Sequence, residues 1–363
     1  MKSAHRILIL DGDYANLGKI GEVIFSHFPL PLQGKKILLK PNILGPYPPE
    51  KGITTHPSLV RALVDFLKKE GALCFVGDNP GLPGYAANER CARISGIWEA
   101  AGESFINLAK ETVQVEVKSR FLKNLIISKI VLDVDYIINL PKFKTHLQTK
   151  ITGAVKNMFG IAVGAEKARV HLAASKPEHF AEALVDIYLI RPPDLTIMDA
   201  IVGMQGNGPS GKDLRRIGKM LVSDNGVVLD ALMAEMMALA PYKVDYLRLA
   251  AERGLGEIAI SKVDIQGQWA PLKKFKLPFT LASQGRFGTV INKVFYKFLT
   301  RPRLKFRRAL CTKCRVCIEH CPAGALSMKK DGPFLDEDKC MACYCCYELC
   351  PQQAIEFKSF WFT

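Results

Sequence analysis

Cysteine has the clearest chemical pattern in this 363-residue chain. Nine of the 11 cysteines lie between Cys311 and Cys350, where they form two copies of the run C-x2-C-x2-C-x3-C-P. A disulfide framework suits a small secreted chain, whereas these cysteines follow about 300 cysteine-poor residues that begin with no export signal. The close spacing instead predicts metal ligation, by iron–sulfur clusters or, as the alternative, by two all-thiolate zinc sites.

The two runs, at residues 311–322 and 340–351, resemble the signature of bacterial ferredoxins that hold two clusters. In that family, three cysteines of one run and the fourth of the other hold each cluster. The resemblance covers about residues 308–358 and leaves Cys345 over, which we expect to be a packing residue like Cys74 and Cys91. It implies two 4Fe–4S clusters, one held by Cys311, Cys314, Cys317 and Cys350 and the other by Cys340, Cys343, Cys346 and Cys321.

A second concentration of reactive side chains follows the apolar segments that we predict to be strands. Each of these polar side chains could simply mark the place where a strand ends. Ligands, however, bind beyond the carboxyl ends of strands in open α/β sheets, so several such side chains together predict a binding site. Lysines beside glycine-rich turns favour an anionic ligand, whereas the patterns for NAD and ATP binding are missing. These residues are Lys40, Asn42, Asp78, Lys142, Lys144, His146 and Asp199.

Several motifs in the first 260 residues resemble the family called domain of unknown function 362. They are KPNIL, THP, GDNPG, NLPKFKTH, TGAVKNMFG, DAIVGMQGNGP and SDNGVVLDA, and they cover roughly residues 35–260. Members of this family are often fused to a bacterial-type ferredoxin domain. The resemblance therefore implies the architecture, while the family has no general assigned reaction.

The stretch THLQTKITGAVKNMFG is also similar to part of the lactate racemase family. There, a lysine tethers a nickel-pincer nucleotide and histidines serve proton or hydride transfer, which implies these roles for Lys156 and His146. His171 lies near the position where a nickel-binding histidine would follow. The chain departs from that family at Ala154, which replaces a glycine, and at His56, which replaces an arginine.

Lys156 carries the most specific prediction. Thr149, Gly153 and Lys156 fall at i, i+4 and i+7, which predicts one helix face with a hydroxyl, a gap and an ammonium group. Lys156 could bind an anion there or act as a nucleophile or acid. We place Gly153 and Asn157 in the same ligand-binding group. The alternative for His146 is an ordinary surface histidine.

The elements that must position these residues alternate between strands and helices. The predicted strands are KKILLK, ALCFVGD, DYIINLP, DLTIMDAIVG and KMLVSD, and the predicted helices are HPSLVRALVDFLKKEG, NERCARISGIWEAAG, PEHFAEALVDIYLIR and NGVVLDALMAEMMALA. This alternation predicts an α/β fold with a mainly parallel sheet and helices on both faces, plus a small C-terminal α+β ferredoxin-like domain. We expect an α/β domain over 1–264, a basic connecting segment over 265–307 and a two-cluster domain over 308–363.

Charge is concentrated in that connecting segment. The chain carries a net charge of +15, and 11 basic residues but no acidic one lie between Ile265 and Leu310. Apolar residues interleave with them, which is typical of an amphipathic helix that either touches an anionic membrane through residues 286–305 or packs between the domains. Nucleic acid is unlikely, because no RNA- or DNA-binding motif accompanies the charge.

Composition limits the class of protein. Apolar residues form 48% and charged residues 23% of the chain, which is typical of a globular protein and excludes disorder and collagen-like repeats. The N-terminus has no signal-peptide pattern and no apolar run is long enough to span a membrane, so we expect a cytoplasmic protein, with peripheral membrane contact as an option.

Together these patterns favour an iron–sulfur oxidoreductase that relays electrons to an anionic substrate or exchanges them with a redox partner protein. His146 and Lys156 are candidates for proton transfer, and Asp78 and Asp199 for orientation or metal binding. Lys40, Asn42, Lys142 and Lys144 would hold the ligand. The alternatives are a non-catalytic ferredoxin-type carrier or docking module, and a nickel-nucleotide-dependent isomerase-like enzyme.

Overall fold

The computed structural model describes residues 5–81, 87–164, 166–174, 176–282, 303–340, 343, 346–347, 350–352 and 354–358. Cys345 and nearly all of the predicted membrane-contact segment 286–305 lie outside the described residues. The elements of the first half are β1 (Arg6–Asp11), α1 (Ile20–His27), β2 (Lys36–Pro41), α2 (Pro57–Lys69), β3 (Leu73–Val76), α3 (Ala87–Ile94), α4 (Ile97–Ala101), β4 (Thr112–Glu116), β5 (Asn124–Ser128), α5 (Ile130–Asp133), β6 (Tyr136–Leu140), β7 (Lys142–His146), β8 (Lys150–Ile151) and α6 (Gly153–Asn157).

The second half continues the alternation and ends in short strand pairs. Its elements are α7 (Glu166–Ala173), α8 (Pro177–Ile190), β9 (Leu195–Met204), β10 (Leu214–Ser223), α9 (Gly226–Met236), α10 (Asp245–Glu252), β11 (Asp264–Gln266), α11 (Phe279–Ala282), β12 (Arg303–Phe306), α12 (Val316–Glu319), β13 (Leu326–Lys329), β14 (Gly332–Leu335) and β15 (Ile355–Lys358). Within this described part of the chain, no helix is long and apolar enough to cross a membrane.

The large sheet confirms the predicted α/β class. Its strands run in the order β11-β1-β10-β9-β6-β2-β3, and β7 joins β9 while β8 pairs with β7. The neighbours β9, β6, β2 and β3 are parallel, as are β7 with β9 and β1 with β11. The predicted strand KMLVSD is the end of the longer β10, which runs antiparallel to both β9 and β1. The sheet is therefore mostly parallel, with an antiparallel insertion.

Helices cover both faces of this sheet, as the run of consecutive apolar residues in β2 indicates. Ile37 and Leu39 pack into one core with α1 and α2, whereas Leu38 packs into the other core with α8 and α9. All three are fully buried. A strand with helices on both faces needs apolar residues at every position, which explains why β2 does not alternate between apolar and polar residues.

Helix ends follow the expected chemistry. Pro57 lies in the first turn of α2, and Gly71, with φ of +75°, follows the end of that helix. The predicted helix at NERCARISGIWEAAG is instead divided into α3 and α4. Gly96, with φ of +72°, separates them, because this left-handed conformation cannot continue a helix.

The predicted helix from Thr149 to Lys156 is wrong. Thr149 lies in the turn before β8, and α6 begins only at Gly153. Lys150 and Gly153 both have positive φ, at 70° and 57°, and a helix cannot run through such residues. Thr149 and Lys156 therefore do not share a helix face.

The C-terminal part is built from antiparallel pairs. β12 pairs with β15, and β13 with β14, while the cysteine-bearing loops lie between these strands. The two described ends of the predicted connecting segment 265–307 belong to different parts of the chain: the first to the α/β part and the second to the C-terminal part. β11 extends the large sheet beside β1, and Leu272 and Phe275 pack on the α/β core, whereas β12 is a strand of the C-terminal part.

Candidate functional site

A pocket of about 80 Å³ lies where β2, β3 and β7 end. The strand ends, the loop after β7 and the helices α6 and α7 supply its walls. Six of the predicted site residues line it together with residues that the sequence did not single out. The described lining consists of Asn42, Ile43, Leu44, Asp78, Asn79, Gly81, Lys144, His146, Thr152, Lys156, Asn157, Phe159, Gly160, Lys167, His171 and Pro209.

An ion pair between Lys40 and Asp78 forms the floor of this pocket. Lys40 Nζ lies 2.7 Å from Asp78 Oδ1, and both side chains are buried. Burial lowers the pKa of Lys40, and the charge of Asp78 opposes that change. The second carboxylate oxygen accepts a hydrogen bond of 2.8 Å from the backbone N–H of Ile43. The pair is thus held at the ends of two neighbouring parallel strands.

Gly160 makes room for that ion pair. A Cβ atom at this position would lie 2.1 Å from Asp78 Oδ1 and 2.5 Å from Lys40 Nζ, far inside van der Waals contact. The glycine that closes the motif TGAVKNMFG is therefore explained by the approach of its backbone to two charged groups.

Lys144 is buried beside the pair and connects three segments. Its ammonium group donates to Asn42 Oδ1 and, over 2.9 Å, to the carbonyl of Ile53. Asn42 is itself fixed, because its N–H donates to Thr55 Oγ1 over 2.8 Å. The loop at ITTHP thus contributes backbone and hydroxyl groups that orient the predicted ligand-binding residues.

His146 follows Lys144 on β7 and lines the same pocket. Its Nδ1 accepts backbone N–H groups of Gln148, over 3.1 Å, and Thr149, over 3.3 Å. An imidazole whose Nδ1 accepts carries its proton on Nε2 when it is neutral. His146 is therefore buried and oriented by its own loop, which is not the surface histidine of the alternative interpretation.

Lys167 is a pocket residue that the sequence analysis missed. It lies on α7, is buried, and donates to the carbonyls of Asn79 and, over 3.0 Å, Pro80. Its pKa is lowered to about 7, mainly by burial and also by the charges of Lys40 and Lys156, while the charge of Asp78 opposes this change. One signal was available, since Lys167 and the lining residue His171 stand at i and i+4 of one helix.

Lys156 is only partly buried and lies near an aromatic wall. Its ammonium group is 6.0 Å from the ring centroid of Phe159 and 5.8 Å from that of Phe180. His171 stacks on Phe180 with ring centroids 4.3 Å apart. These distances allow a cation–π attraction, which holds Lys156 at the side of the pocket.

Asp230 positions the helix that carries Lys156 and Asn157. Its carboxylate accepts the N–H groups of Ala154, over 2.5 Å, and Val155, over 3.0 Å, at the start of α6. A Cβ atom on Gly153 would lie 2.3 Å from this carboxylate, so Gly153 serves the approach of Asp230 and stands behind the pocket. Burial raises the pKa of Asp230 to about 7, against the effect of these hydrogen bonds.

Two buried polar atoms at the pocket have no hydrogen-bond partner among the described residues. They are the hydroxyl of Thr152 and the Oδ1 atom of Asn157. The amide nitrogen of Asn157 donates to Asn139 Oδ1 over 2.7 Å. Buried polar groups are nearly always satisfied, so these atoms indicate a place for water or a ligand.

Lys142 and Asp199 lie outside this pocket, in a closed network. Lys142 Nζ is 2.8 Å from both Asp199 Oδ2 and the Tyr14 hydroxyl, which in turn donates to Asp199 Oδ1 over 2.8 Å. The N–H of His56 also donates to Asp199, and its ring stacks on Tyr14 with centroids 3.7 Å apart. In the described part of residues 5–282, no three His, Cys, Asp or Glu side chains form a site for a single metal ion.

The described cysteines of the C-terminal part form two groups of four. Burial, together with the charges of Cys350, Cys314 and Cys311, raises the pKa of Cys317 to about 11. Burial and the charges of its neighbours likewise raise the pKa of Cys346 well above its usual value. Such effects act between close neighbours. The groups are Cys311, Cys314, Cys317 and Cys350, and Cys340, Cys343, Cys346 and Cys321, and Cys317 of the first group also acts on Cys346 of the second.

Each group contains a thiol that accepts a backbone hydrogen bond at the same place in its run. The N–H of Ala325 donates to Cys321 Sγ and that of Ala354 to Cys350 Sγ, both over 3.2 Å. Hydrogen bonds of this kind stabilise a thiolate, which is the form that ligates iron. The thiols present therefore fit the ligation of iron–sulfur clusters. Cys74 and Cys91 are instead buried in the α/β part, where burial raises the pKa of each to about 12.

These features define an iron–sulfur electron-transfer protein whose cluster domain is fused to an α/β domain. A 4Fe-4S dicluster domain matches residues 310–354. The chain belongs to the family described as domain of unknown function (DUF362), which matches residues 37–235, so the predicted fusion is confirmed. It is 32% identical over 231 residues to the thylakoid-associated protein sll1697 of Synechocystis sp. (strain ATCC 27184 / PCC 6803 / Kazusa), covering 61% of this chain and 68% of that relative.

Proposed function

We propose that the protein is an oxidoreductase that passes electrons from two 4Fe–4S clusters to a small anion bound in the pocket of the α/β domain. The observation that carries this proposal is the charge of the pocket. Three lysines and one carboxylate lie among its described lining residues, and Lys40 adds a fourth ammonium group to Asp78. Lysine ammonium groups that line a pocket at the strand ends can hold a negatively charged ligand through charge-assisted hydrogen bonds.

The size of the pocket narrows the ligand class. Its volume of about 80 Å³ is enough for a few water molecules or a compact carboxylate or oxyanion. A nucleotide needs a much larger cleft, of roughly 300 Å³ or more. The volume therefore supports a small anion over the nucleotide of the racemase-like alternative.

The pocket residues would divide binding and proton supply between them. We assign anion binding to Lys144, Lys156 and the hydroxyl of Thr152. His146, with its proton on Nε2, and Lys167, with a pKa of about 7, would hold the protons that reduction of an anion requires. Bound 4Fe–4S clusters supply single electrons at low potential.

The same proposal includes a location. The relative is named as thylakoid-associated, and by analogy we propose that this chain works in the cytoplasm at a membrane surface. The basic, apolar-interleaved segment 286–305 would supply the contact. Salt-sensitive binding of the whole protein to vesicles that contain anionic lipid supports this, and no binding at low salt would reject it.

Anaerobic purification followed by metal analysis and native mass spectrometry tests the proposal. About eight iron and eight sulfide per chain are expected for two clusters. Cys314→Ala should lose or degrade one cluster, whereas Cys345→Ala should retain both. Stoichiometric zinc without sulfide would contradict the cluster assignment.

A ligand assay separates the enzyme from a simple carrier. In the presence of acetate or inorganic phosphate as probes, the holoprotein should bind an anion, and Lys144→Met should abolish binding with iron and sulfide unchanged. Lys262→Met, at an exposed lysine of the same domain, is the matched control. Equal binding by both variants would leave only the carrier function.

A further inference from the structure

One short loop of the α/β domain faces the pocket on one side and the cysteine-rich part on the other. This loop is Gly206–Pro209, directly after β9. Pro209 lines the pocket, and Asn207 lines a cavity of about 470 Å³ between the two parts of the chain. Tyr347, which follows the predicted cluster ligand Cys346, lines the same cavity.

The pocket side of the loop is bound tightly to the segment that carries His146. The N–H of Leu147 donates to the carbonyl of Gly208 over 3.1 Å, and the N–H of Gly208 donates to Thr145 Oγ1 over 3.3 Å. A Cβ atom on Gly208 would lie 2.1 Å from the carbonyl oxygen of Thr145. The loop is therefore hydrogen-bonded to the residues on both sides of His146.

The other side of the loop accepts a hydrogen bond from the cysteine-rich part. The hydroxyl of Tyr347 donates to the backbone carbonyl of Asn207 over 2.9 Å. The side chain of Asn207 is fixed from behind, because its Oδ1 accepts the N–H of Phe279 over 3.2 Å, and the N–H of Gly206 donates to the carbonyl of Lys276 over 2.6 Å. Tyr347 thus contacts a loop whose position is already set by the α/β domain.

We propose that Tyr347 is the positioning residue that docks the cluster domain on the 206–209 loop and joins the Cys346 group to the pocket. The connection runs from Cys346 through the tyrosine side chain to the backbone of Asn207, Gly208 and Pro209. A continuous chain of bonded and hydrogen-bonded atoms places one particular cysteine group at the pocket end of the electron path. The electron path to the pocket rests on the proposed function, whereas the docking contact between Tyr347 and Asn207 rests on the hydrogen bond alone.

Hydrogen exchange of the anaerobic holoprotein tests the docking. Tyr347→Phe removes only the hydroxyl, so the amides of residues 206–208 and 210–211 should exchange about fivefold faster, as loss of one hydrogen bond allows. The amide of Leu147 should follow, because it donates to Gly208. Tyr242→Phe, at an exposed tyrosine of the α/β domain, is the matched control and should leave both regions unchanged.

Two outcomes would overturn the inference. Exchange of the loop in Tyr347→Phe that equals the control would show that the hydroxyl does not dock the domain. Faster exchange across the whole cysteine-rich part, with loss of iron and sulfide, would show that Tyr347 only stabilises its own domain. Placing a photo-crosslinking p-benzoylphenylalanine at position 347 gives a second measurement, with crosslinks expected to residues 206–211. Neither measurement requires a pocket ligand, so failure of the proposed function would leave both results intact.

Discussion

Lys142 and Lys144 stand two residues apart on β7 and are both buried, but they lie in different surroundings. Lys142 belongs to a closed network in which Asp199, Tyr14 and the backbone of His56 satisfy one another. Lys144 belongs to a pocket in which cations outnumber carboxylates among the described lining residues. A buried lysine at a strand end is thus not by itself evidence of a site, because Lys142 belongs to a closed network whereas Lys144 lines a pocket.

The largest effect should come from Lys142→Met. This change leaves the Asp199 carboxylate buried without its cation, so the free energy of unfolding should fall by about 3–5 kcal/mol. Chemical denaturation of the anaerobic protein measures it. Lys219→Met breaks a pair with the exposed Asp11 on the same sheet and should cost less than about 1 kcal/mol. Equal losses would remove the distinction between closed network and surface pair.

Lys167→Met should weaken anion binding, whereas Lys142→Met lowers the stability of the fold. The partners of Lys167 are carbonyl groups, and its removal lessens the excess positive charge, so Lys167→Met should keep the stability of the wild type. Affinity for the probe anion should instead fall by about 10–100-fold, as loss of one charged hydrogen bond implies. Calorimetric titration with acetate and phosphate measures it. A large loss of folding stability with unchanged affinity for the probe anion would show that Lys167, like Lys142, has a structural role.

The pH dependence of folding stability and of anion affinity should distinguish the pocket from the closed network. The pKa of Lys167 is about 7 in the folded chain and 10.5 in the unfolded chain, so the unfolded chain binds more protons between these values and stability rises with pH there. Anion affinity should fall over the same range, by up to about tenfold per pH unit, because the ammonium charge is lost. Lys167→Met should abolish both slopes. An unchanged slope in the variant would assign the titration to another group.

Tyr14→Phe should produce the smallest effect. It removes the hydroxyl that bridges Lys142 and Asp199, at a cost of about 1 kcal/mol, while the ion pair remains. Binding of the probe anion should not change, because the hydroxyl belongs to the closed network. Denaturation and titration of one preparation measure both quantities, and weaker anion binding would show that the two regions are coupled.

The fold was predictable where local patterns decide it. Consecutive apolar residues predicted β2, and Pro57 and Gly71 marked the ends of α2. The direction of β10 was not predictable, since a short apolar strand carries no signal for parallel or antiparallel pairing. The helix expected from Thr149 failed because the contact of Gly153 with Asp230, distant in sequence, sets the backbone there.

The pocket was predictable only in part, for the same reason. Strand-end residues such as Asn42, Asp78 and Lys144 come together because parallel strands end at one edge of the sheet. Lys167 comes from a helix that tertiary packing brings to that edge, and its i, i+4 spacing with His171 alone does not show which way the helix faces. The separation of Lys142 from Lys144 likewise depends on Tyr14, which stands far away in the sequence.

Gly160 provides a way to recognise this pocket in other chains. Its hydrogen occupies space that a methyl group could take only by displacing the carboxylate of Asp78 or the ammonium of Lys40. A relative with a larger residue in place of Gly160 must therefore have moved or given up the ion pair, whereas a relative that keeps all three residues can form it. Reading the three residues in any relative thus tells whether it has kept the anion pocket or only the fold.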